Sequence, residues 1–305
     1  MSPKVVIIVL NWNRKQDSLK CLRSLQQIEY PNYEVLFVDN GSDDDSVACV
    51  SRQFPEIHII KNHKNLGYAE GNNVGIRWAL EKDADYIFLL NNDTIVDRNI
   101  LNCLVSASEQ NREIGIVGPK IYYSGAKNRL YSAGGNINFR EFVVKPKGYN
   151  QEDRGQFDEI AEVDFIVGCG LLIKRKVIEE IGLLDPIYFS YFEDVDWCIR
   201  AKDREYKIIY VPKAKMWHRV AASSGGNDSP QWNYLMGRSA VIFMSKYGNL
   251  LNWLKFITFL SAEILWGIFK NVLFHRQKPI LSKIRGLRDG FFQKQVNYEK
   301  LKNDY

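Results

Sequence analysis

The chain has 305 residues, enough for one large α/β core with an appendage or for two modest domains, and too many for a small scaffold. Hydrophobic residues at 46% and charged residues at 25% are ordinary for a folded globular protein, and no low-complexity tract argues for extended disorder. The net charge of +5 is concentrated: residues 251–305 carry 10 Lys and Arg against 4 Asp and Glu, a local +6, so residues 1–250 carry −1 and no nucleic-acid partner is expected.

Met1-Ser2-Pro3-Lys4 runs directly into the apolar residues 5–10, too short for a signal peptide and without a small-residue cleavage site. The first strand is read there, followed by a helix over 17–27 with Leu19, Leu22 and Leu25 at core spacing. Strands over 33–38, 57–60 and 86–90 alternate with helices over 46–53 and 71–81, the pattern of βα units on a mostly parallel sheet. A helix over 99–109 and a strand over 114–121 follow. Residues 126–160, rich in Gly, Asn, Lys and charge, read as a hairpin or loop insert. Regular signals return as a strand over 163–173, helices over 175–181 and 191–201, and a strand over 207–211. Residues 223–230 are a loop by composition, and a helical, aromatic-rich tail follows. Cys21, Cys49, Cys103, Cys169 and Cys198 are odd in number, with no Cys-x-x-Cys and no zinc spacing, which favours free thiols in a reducing compartment. A cytoplasmic catalytic part is expected.

The strongest chemical signal is Asn91-Asn92-Asp93-Thr94, reached straight from the apolar Tyr86-Ile87-Phe88-Leu89-Leu90. A buried strand ending in amides and a carboxylate brings oxygen ligands to the mouth of a sheet, where α/β proteins hold hard cations and phosphates. A second acidic cluster, Phe192-Glu193-Asp194-Val195-Asp196-Trp197, follows about 100 residues later. With Val9-Leu10-Asn11-Trp12-Asn13, Val38-Asp39-Asn40-Gly41-Ser42 and Asn65-Leu66-Gly67-Tyr68-Ala69-x-Gly71-Asn72-Asn73, these segments resemble the inverting glycosyltransferases of family 2, particularly bacterial rhamnosyltransferase-like members. The resemblance spans roughly residues 4–245. It implies the GT-A nucleotide-diphospho-sugar fold: an α/β domain over 1–222, with a nucleotide-sugar half to about 120 and an acceptor half over 121–222, then a helical extension over 223–305.

The resemblance also implies roles. Asp39 would accept a hydrogen bond from the imide N–H of uracil or thymine, a match for an acceptor-only group, although it can equally cap the Ser42-Asp43 turn. Asn11 and Trp12 would support the base across the same mouth. The segment 65–73 leads into a helix N-terminus that offers free N–H groups to a diphosphate, with Asn72 or Asn73 reaching the nucleotide; helix capping is the plainer role. In the family's metal motif two aspartates flank one residue, whereas here the first position is Asn91. Asp93 is therefore expected to hold Mg²⁺ or Mn²⁺ while Asn91 binds ribose or sugar hydroxyls, with His218 completing the metal shell or serving structure alone. Inverting transfer needs one base on the acceptor's side of the anomeric carbon, and Asp194 is that candidate. Glu193, Gly168 and Gly170 are assigned to the acceptor, with packing as the alternative for the glycines. Arg238 either reaches the diphosphate or braces the fold.

In residues 252–274 the polar Asn252, Lys255, Glu263 and Lys270 fall near one helical face, with Trp253, Phe256, Ile257, Phe259, Leu260, Ile264, Leu265 and Ile268 around much of the remainder. Charges interrupt the segment too often for a spanning helix. It reads as an amphipathic helix at the inner face of the cell membrane, followed by the basic His275, Arg276, Lys278, Lys283, Arg285 and Arg288, or as a docking or homodimer element. The reading for the whole chain is a metal-dependent inverting transferase that moves a hexosyl unit, L-rhamnose from dTDP-rhamnose foremost, from a dTDP- or UDP-sugar to a cell-surface or lipid-linked glycan. The rivals are a sugar nucleotidylyltransferase, disfavoured because Asn11-Trp12-Asn13-Arg14 lacks a Gly-rich basic signature, and a non-catalytic sugar-nucleotide-binding protein, motivated by Asn91.

Overall fold

The computed structural model describes residues 2–126, 128–141, 143–219, 229–274 and 278–298, with 263–279 described as backbone only. His275, Arg276 and Gln277 of the expected basic segment, and most of the loop expected over 223–230, lie outside the described residues. The chain divides into two compact units. Met1–Asn136, Lys145–Asp185 and Asp194–Val220 form the first; Ile137–Val144, Pro186–Glu193 and Ala221–Tyr305 form the second.

The first unit is built on strands β1 (Val5–Asn11), β2 (Tyr33–Asp39), β3 (His58–Lys61), β4 (Tyr86–Asn91), β5 (Thr94–Val96), β6 (Ile114–Tyr123) and β7 (Leu130–Ser132). After the ribbon strands β8 (Gly135–Asn138) and β9 (Val143–Pro146), which pair only with each other, come β10 (Ala161–Glu162), β11 (Gly170–Lys174) and β12 (Lys207–His218). The sheet runs β10-β12-β6-β11-β4-β1-β2-β3, with β5 on β12 and β7 on β6. It is more mixed than the expected, mostly parallel one. β1, β2, β3 and β4 are parallel neighbours, as are β6 and β12, but β11 enters antiparallel between β4 and β6.

Helices α1 (Lys15–Leu25), α2 (Ser46–Gln53), α3 (Gly67–Glu81), α4 (Ile100–Glu109), α5 (Arg175–Ile181) and α6 (Glu193–Lys202) connect these strands. Burial on both faces explains why β1 and β4 are continuous apolar runs rather than alternating ones. α3 lies close on the sheet because a Cβ at Gly75 would collide with the Ile8 side chain. It starts a turn earlier than expected: Asn65 Oδ1 accepts the Gly67 N–H at 2.8 Å, and Gly67 takes φ +82°, which glycine adopts without strain. The strand expected over 163–173 is regular only from Gly170. The insert is held by fully buried Lys120, whose Nζ reaches Asp153 at 2.9 Å and Asp158 at 2.5 Å.

In the second unit α7 (Pro230–Tyr247) packs on α9 (Lys278–Phe291), with α8 (Leu250–Phe274) between them in sequence. Glycine makes the α7–α9 approach possible, since a Cβ at Gly286 would meet the Tyr234 backbone and one at Gly290 the Arg238 backbone. Among the described residues no helix is long and apolar enough to cross a membrane. α8 is polar on its inner side: Asn252 Nδ2 and Lys255 Nζ each donate at 2.6 Å, to the carbonyls of Phe139 and Arg140. Leu250, Leu251, Leu254, Ile257 and Phe259 are exposed.

Candidate active site

The carboxyl ends of β1, β2 and β4 lie side by side, with Asn11 opposite Asp39 in register. Asn11 is fully buried and committed to its neighbours. Its Nδ2 lies 2.9 Å from Asp39 Oδ1, 3.0 Å from Ser42 Oγ and 3.1 Å from Ser46 Oγ, while its Oδ1 accepts from Ser18 at 2.6 Å and Asn92 at 2.8 Å. Asn11 therefore fixes Asp39 rather than supporting a base itself, a correction to the expected contact. Asp39 Oδ2 also accepts the Ser42 N–H at 3.1 Å, so the turn-capping role is real. A carboxylate oxygen offers more than one lone pair, and both roles are compatible.

Of the two asparagines on α3, Asn73 has its whole amide engaged within the protein. It donates to the Leu184 carbonyl at 2.9 Å and to Glu70 at 3.0 Å, and its Oδ1 accepts the Leu184 N–H at 3.1 Å. Asn72 donates to the Tyr68 carbonyl at 2.9 Å, while its buried Oδ1 has no hydrogen bond.

Asp93 and His218 are brought together by the antiparallel pairing of β5 with β12, which sets Thr94 opposite His218. Asp93 Oδ1 lies 3.0 Å from His218 Nε2, and both residues are buried. Asp93 Oδ1 thus has the His218 ring as its ion-pair partner and no further hydrogen bond. Burial pushes the His218 imidazole down, but Cys169 and Asp93 beside it outweigh that and lift the group to about 10. The pocket thus favours positive charge. Asn91 Nδ2 sits 3.5 Å from His218 Nε2, so its amide borders the pair. A carboxylate oxygen, an imidazole nitrogen and an adjoining amide are a donor set that fits a divalent cation whose remaining ligands are phosphate oxygens and water.

Asp194 opens α6, half-buried, and accepts the Gly168 N–H at 2.7 Å and the Val195 N–H at 2.9 Å. Burial raises its carboxyl above the ordinary 3.8, against the lowering effect of those two backbone donors. A raised carboxyl with a directed lone pair suits a general base. Gly168 accepts from the Tyr68 hydroxyl at 2.6 Å, so its backbone positions Asp194 instead of meeting an acceptor. Gly170 is a packing device, because a Cβ there would run into Met216 and Pro119. Asp196 is buried and bonded to Arg200 at 2.9 Å. In the second unit Glu193 is buried, and Arg238 gives its guanidinium to the carbonyls of Ile187, Tyr188 and Lys294 at 2.6, 3.2 and 2.7 Å. Arg238 is thus a brace. Sequence reasoning passed over Tyr68 and Tyr131; Tyr131 meets the His218 ring edge-on, with centroids 5.3 Å apart. A tyrosine beside a glycine-rich segment was the one available signal.

Asp39, the buried Asp93–His218 pair and the N–H-bonded Asp194 all belong to the first unit. The model of the family described as "Glycosyl transferase family 2" matches residues 6–182, more than half of the chain. The chain belongs to glycosyl transferase family 2. It is 24% identical over 301 residues to the dTDP-rhamnosyl transferase RfbF of Shigella flexneri, covering 94% of this chain and 97% of that protein. With the N-acetylglucosaminyl-diphospho-decaprenol L-rhamnosyltransferase of Mycobacterium tuberculosis it shares 25% identity over 244 residues, 74% of this chain and 79% of that one. The mannosyltransferase of Pyrobaculum calidifontis, solved with GDP-Man and Mn²⁺, matches with a TM-score of 0.60 at 14% identity, over 97% of this chain and 89% of that one. That likeness shows the GT-A fold. This family 2 glycosyltransferase moves a hexosyl unit from a nucleotide sugar to a glycan or lipid-linked acceptor, which decides against nucleotidyl transfer.

Proposed function

We propose that the enzyme is an inverting L-rhamnosyltransferase that uses dTDP-rhamnose and a divalent cation, Mn²⁺ or Mg²⁺, at Asp93 and His218. The observation that carries this reading is the buried Asp93–His218 pair, 3.0 Å apart, with the Asn91 amide 3.5 Å from the same imidazole nitrogen. Full-length similarity to a dTDP-rhamnosyl transferase supports the donor. Asp39 takes the imide N–H of the base. The bound cation supplies charge neutralisation to the departing diphosphate. Asp194 removes the proton of the acceptor hydroxyl as that oxygen attacks the anomeric carbon from the face opposite the leaving group, which inverts the configuration. The Gly168 and Val195 N–H groups hold the carboxylate in one orientation for that transfer. The outward apolar face of α8 supports peripheral attachment to the membrane that carries a lipid-linked acceptor.

The test is nucleoside diphosphate release from a panel of dTDP-, UDP- and GDP-sugars, with Mn²⁺, with Mg²⁺ and with chelator. Fastest release from dTDP-rhamnose, lost on chelation and restored by metal, is expected. Equal release in chelator would remove the cation from the mechanism, and preference for another donor would reassign the sugar.

A further inference from the structure

Three tyrosines beside the Asp93–His218 pair are used by none of the chemistry above. Tyr123 closes β6 directly opposite His218 in register, Tyr131 lies on β7, and Tyr149 stands in the following segment. Their rings meet edge-to-face: Tyr123–Tyr131 at 5.4 Å and 81°, Tyr131–Tyr149 at 6.0 Å and 61°, Tyr123–Tyr149 at 6.3 Å and 62°. Such geometry is favourable on its own, and buried clusters of this kind are ordinary core. Here Tyr131 anchors the cluster on the hydrophobic core. Tyr149 is 37% exposed, and Tyr123 and Tyr131 each keep part of their surface open.

The wall is rigidly mounted. The Leu130 N–H donates to the Gln151 carbonyl at 2.8 Å and the Asn150 N–H to the Leu130 carbonyl at 2.9 Å, and Arg129 reaches Asn150 Oδ1 at 2.9 Å. Asp153, just beyond, is tied to Lys120 at 2.9 Å and to the Tyr122 hydroxyl. A fixed cluster of part-exposed tyrosine rings is matched to a ligand that is apolar on its flat side and hydroxylated at its edge, which describes a pyranose ring.

We propose that Tyr123, Tyr131 and Tyr149 form the platform on which the acceptor's terminal sugar stacks. The assignment rests on the sugar-transfer reading of Asp93, His218 and Asp194. Strand order separates this platform from the nucleotide pole. From β2, which carries Asp39, to β6 there are four strand steps, about 19 Å, and β12 with His218 lies one strand beyond β6, so the platform stands on the His218 side, away from Asp39.

Saturation-transfer NMR on the full-length protein tests this, with octyl β-N-acetylglucosaminide, octyl α-L-rhamnoside and octyl β-D-galactoside as probes. Tyr149→Ala and Tyr149→Phe are compared, because Tyr149 is the most open ring and its loss disturbs the fold least. dTDP binding in the presence of Mn²⁺ is measured in parallel. At least one glycoside is expected to show saturation on its ring protons, with affinity falling about tenfold in Tyr149→Ala, the loss of one stacked ring, and staying near the parent in Tyr149→Phe. dTDP affinity is expected to be the same in all three proteins. Glycoside binding unaffected by Tyr149→Ala, or absent from the parent while dTDP still binds, would overturn the platform. Absence of dTDP binding by the parent itself would instead overturn the dTDP-sugar reading of Asp93, His218 and Asp194 on which the platform rests.

Discussion

Replacing Asp194 by asparagine keeps the size of the side chain and removes its ability to take a proton. The carboxylate now accepts two backbone N–H groups, from Gly168 at 2.7 Å and from Val195 at 2.9 Å. An amide has only one acceptor oxygen, so one N–H is left facing an NH₂ group at a cost of about 1–3 kcal/mol, offset by removal of a charge that burial already disfavours. The fold therefore survives. General-base catalysis contributes about 10²–10⁴ in rate, so turnover should fall at least about a hundredfold, near 2.7 kcal/mol of barrier, with donor affinity little changed. The pH dependence makes the test sharper. Because the folded carboxyl is raised above 3.8, the native state binds the proton more tightly than the unfolded chain. Stability from this group is thus fully present below the ordinary carboxylate value and declines as pH rises through the raised one, whereas the rate rises over the same span as the base ionises. Tyr131 and Cys198, the titratable neighbours that feel its charge, are not cations and do not reverse this sign. Asp194→Asn should lose both limbs. Rates of nucleoside diphosphate release across the acid range, with urea unfolding at the same pH values, measure them. Near-normal turnover in the variant, or lost donor binding with intact turnover, would refute the assignment of Asp194 as the base.

Asp93→Ala should abolish transfer and metal-dependent donor binding while the protein stays folded, a loss of several kcal/mol of barrier stabilisation; normal turnover by the product-release assay would remove the cation site. Asn11→Ala breaks the buried network around Asp39, and about 2–4 kcal/mol of stability should go, together with nucleotide affinity, as read by urea unfolding and calorimetry. Lys120→Met strands Asp153 beside an apolar chain and should cost about 3 kcal/mol, nearly all of it from Asp153, because Asp158 is 66% exposed and its pair is screened. Flotation on anionic vesicles should be salt-sensitive for the intact chain and lost when Leu251, Leu254, Ile257 and Phe259 are all changed to Ser; no flotation at low salt would favour a dimer interface.

The strands and main helices were legible because strands buried on both faces must be apolar throughout, and residues 5–10 and 86–90 announce that directly. The carboxylates at their ends were legible for a related reason, since Asp39 and Asp93 follow apolar runs at the one sheet edge where ligands bind. Asn11, Asn73, Gly170 and Arg238 were not. An asparagine at a strand end is the same letter whether it meets a ligand or a buried serine, and only the positions of Ser18 and Asn92 decide. Gly170 depends on Met216, a partner on another strand. β5 and β7 are three residues each and owe their existence to register against β12 and β6, which no local pattern records. In the tail, the direction of Asn252 and Lys255 is set by the carbonyls of Phe139 and Arg140, more than a hundred residues earlier, while the side chains of Glu263, Ile264, Leu265, Ile268 and Lys270 lie outside the described residues.

The same sheet edge treats its polar groups in two opposite ways, and this contrast separates scaffold from site. Around Asn11 every amide and hydroxyl has a partner, so Asp39 is held in one orientation before any nucleotide arrives and binding need not freeze it. At Asp93 and His218 a carboxylate and an imidazole are instead buried against each other, and β5, β12 and the Arg219 N–H that bonds the Asp93 carbonyl at 3.0 Å hold them there. Local packing alone does not favour such a pair. It persists because the surrounding strands over-determine it, and on the proposed reading a cation held by Asp93 and His218 would add charge stabilisation for the departing diphosphate, while Asp39 would supply binding that is equal before and during transfer.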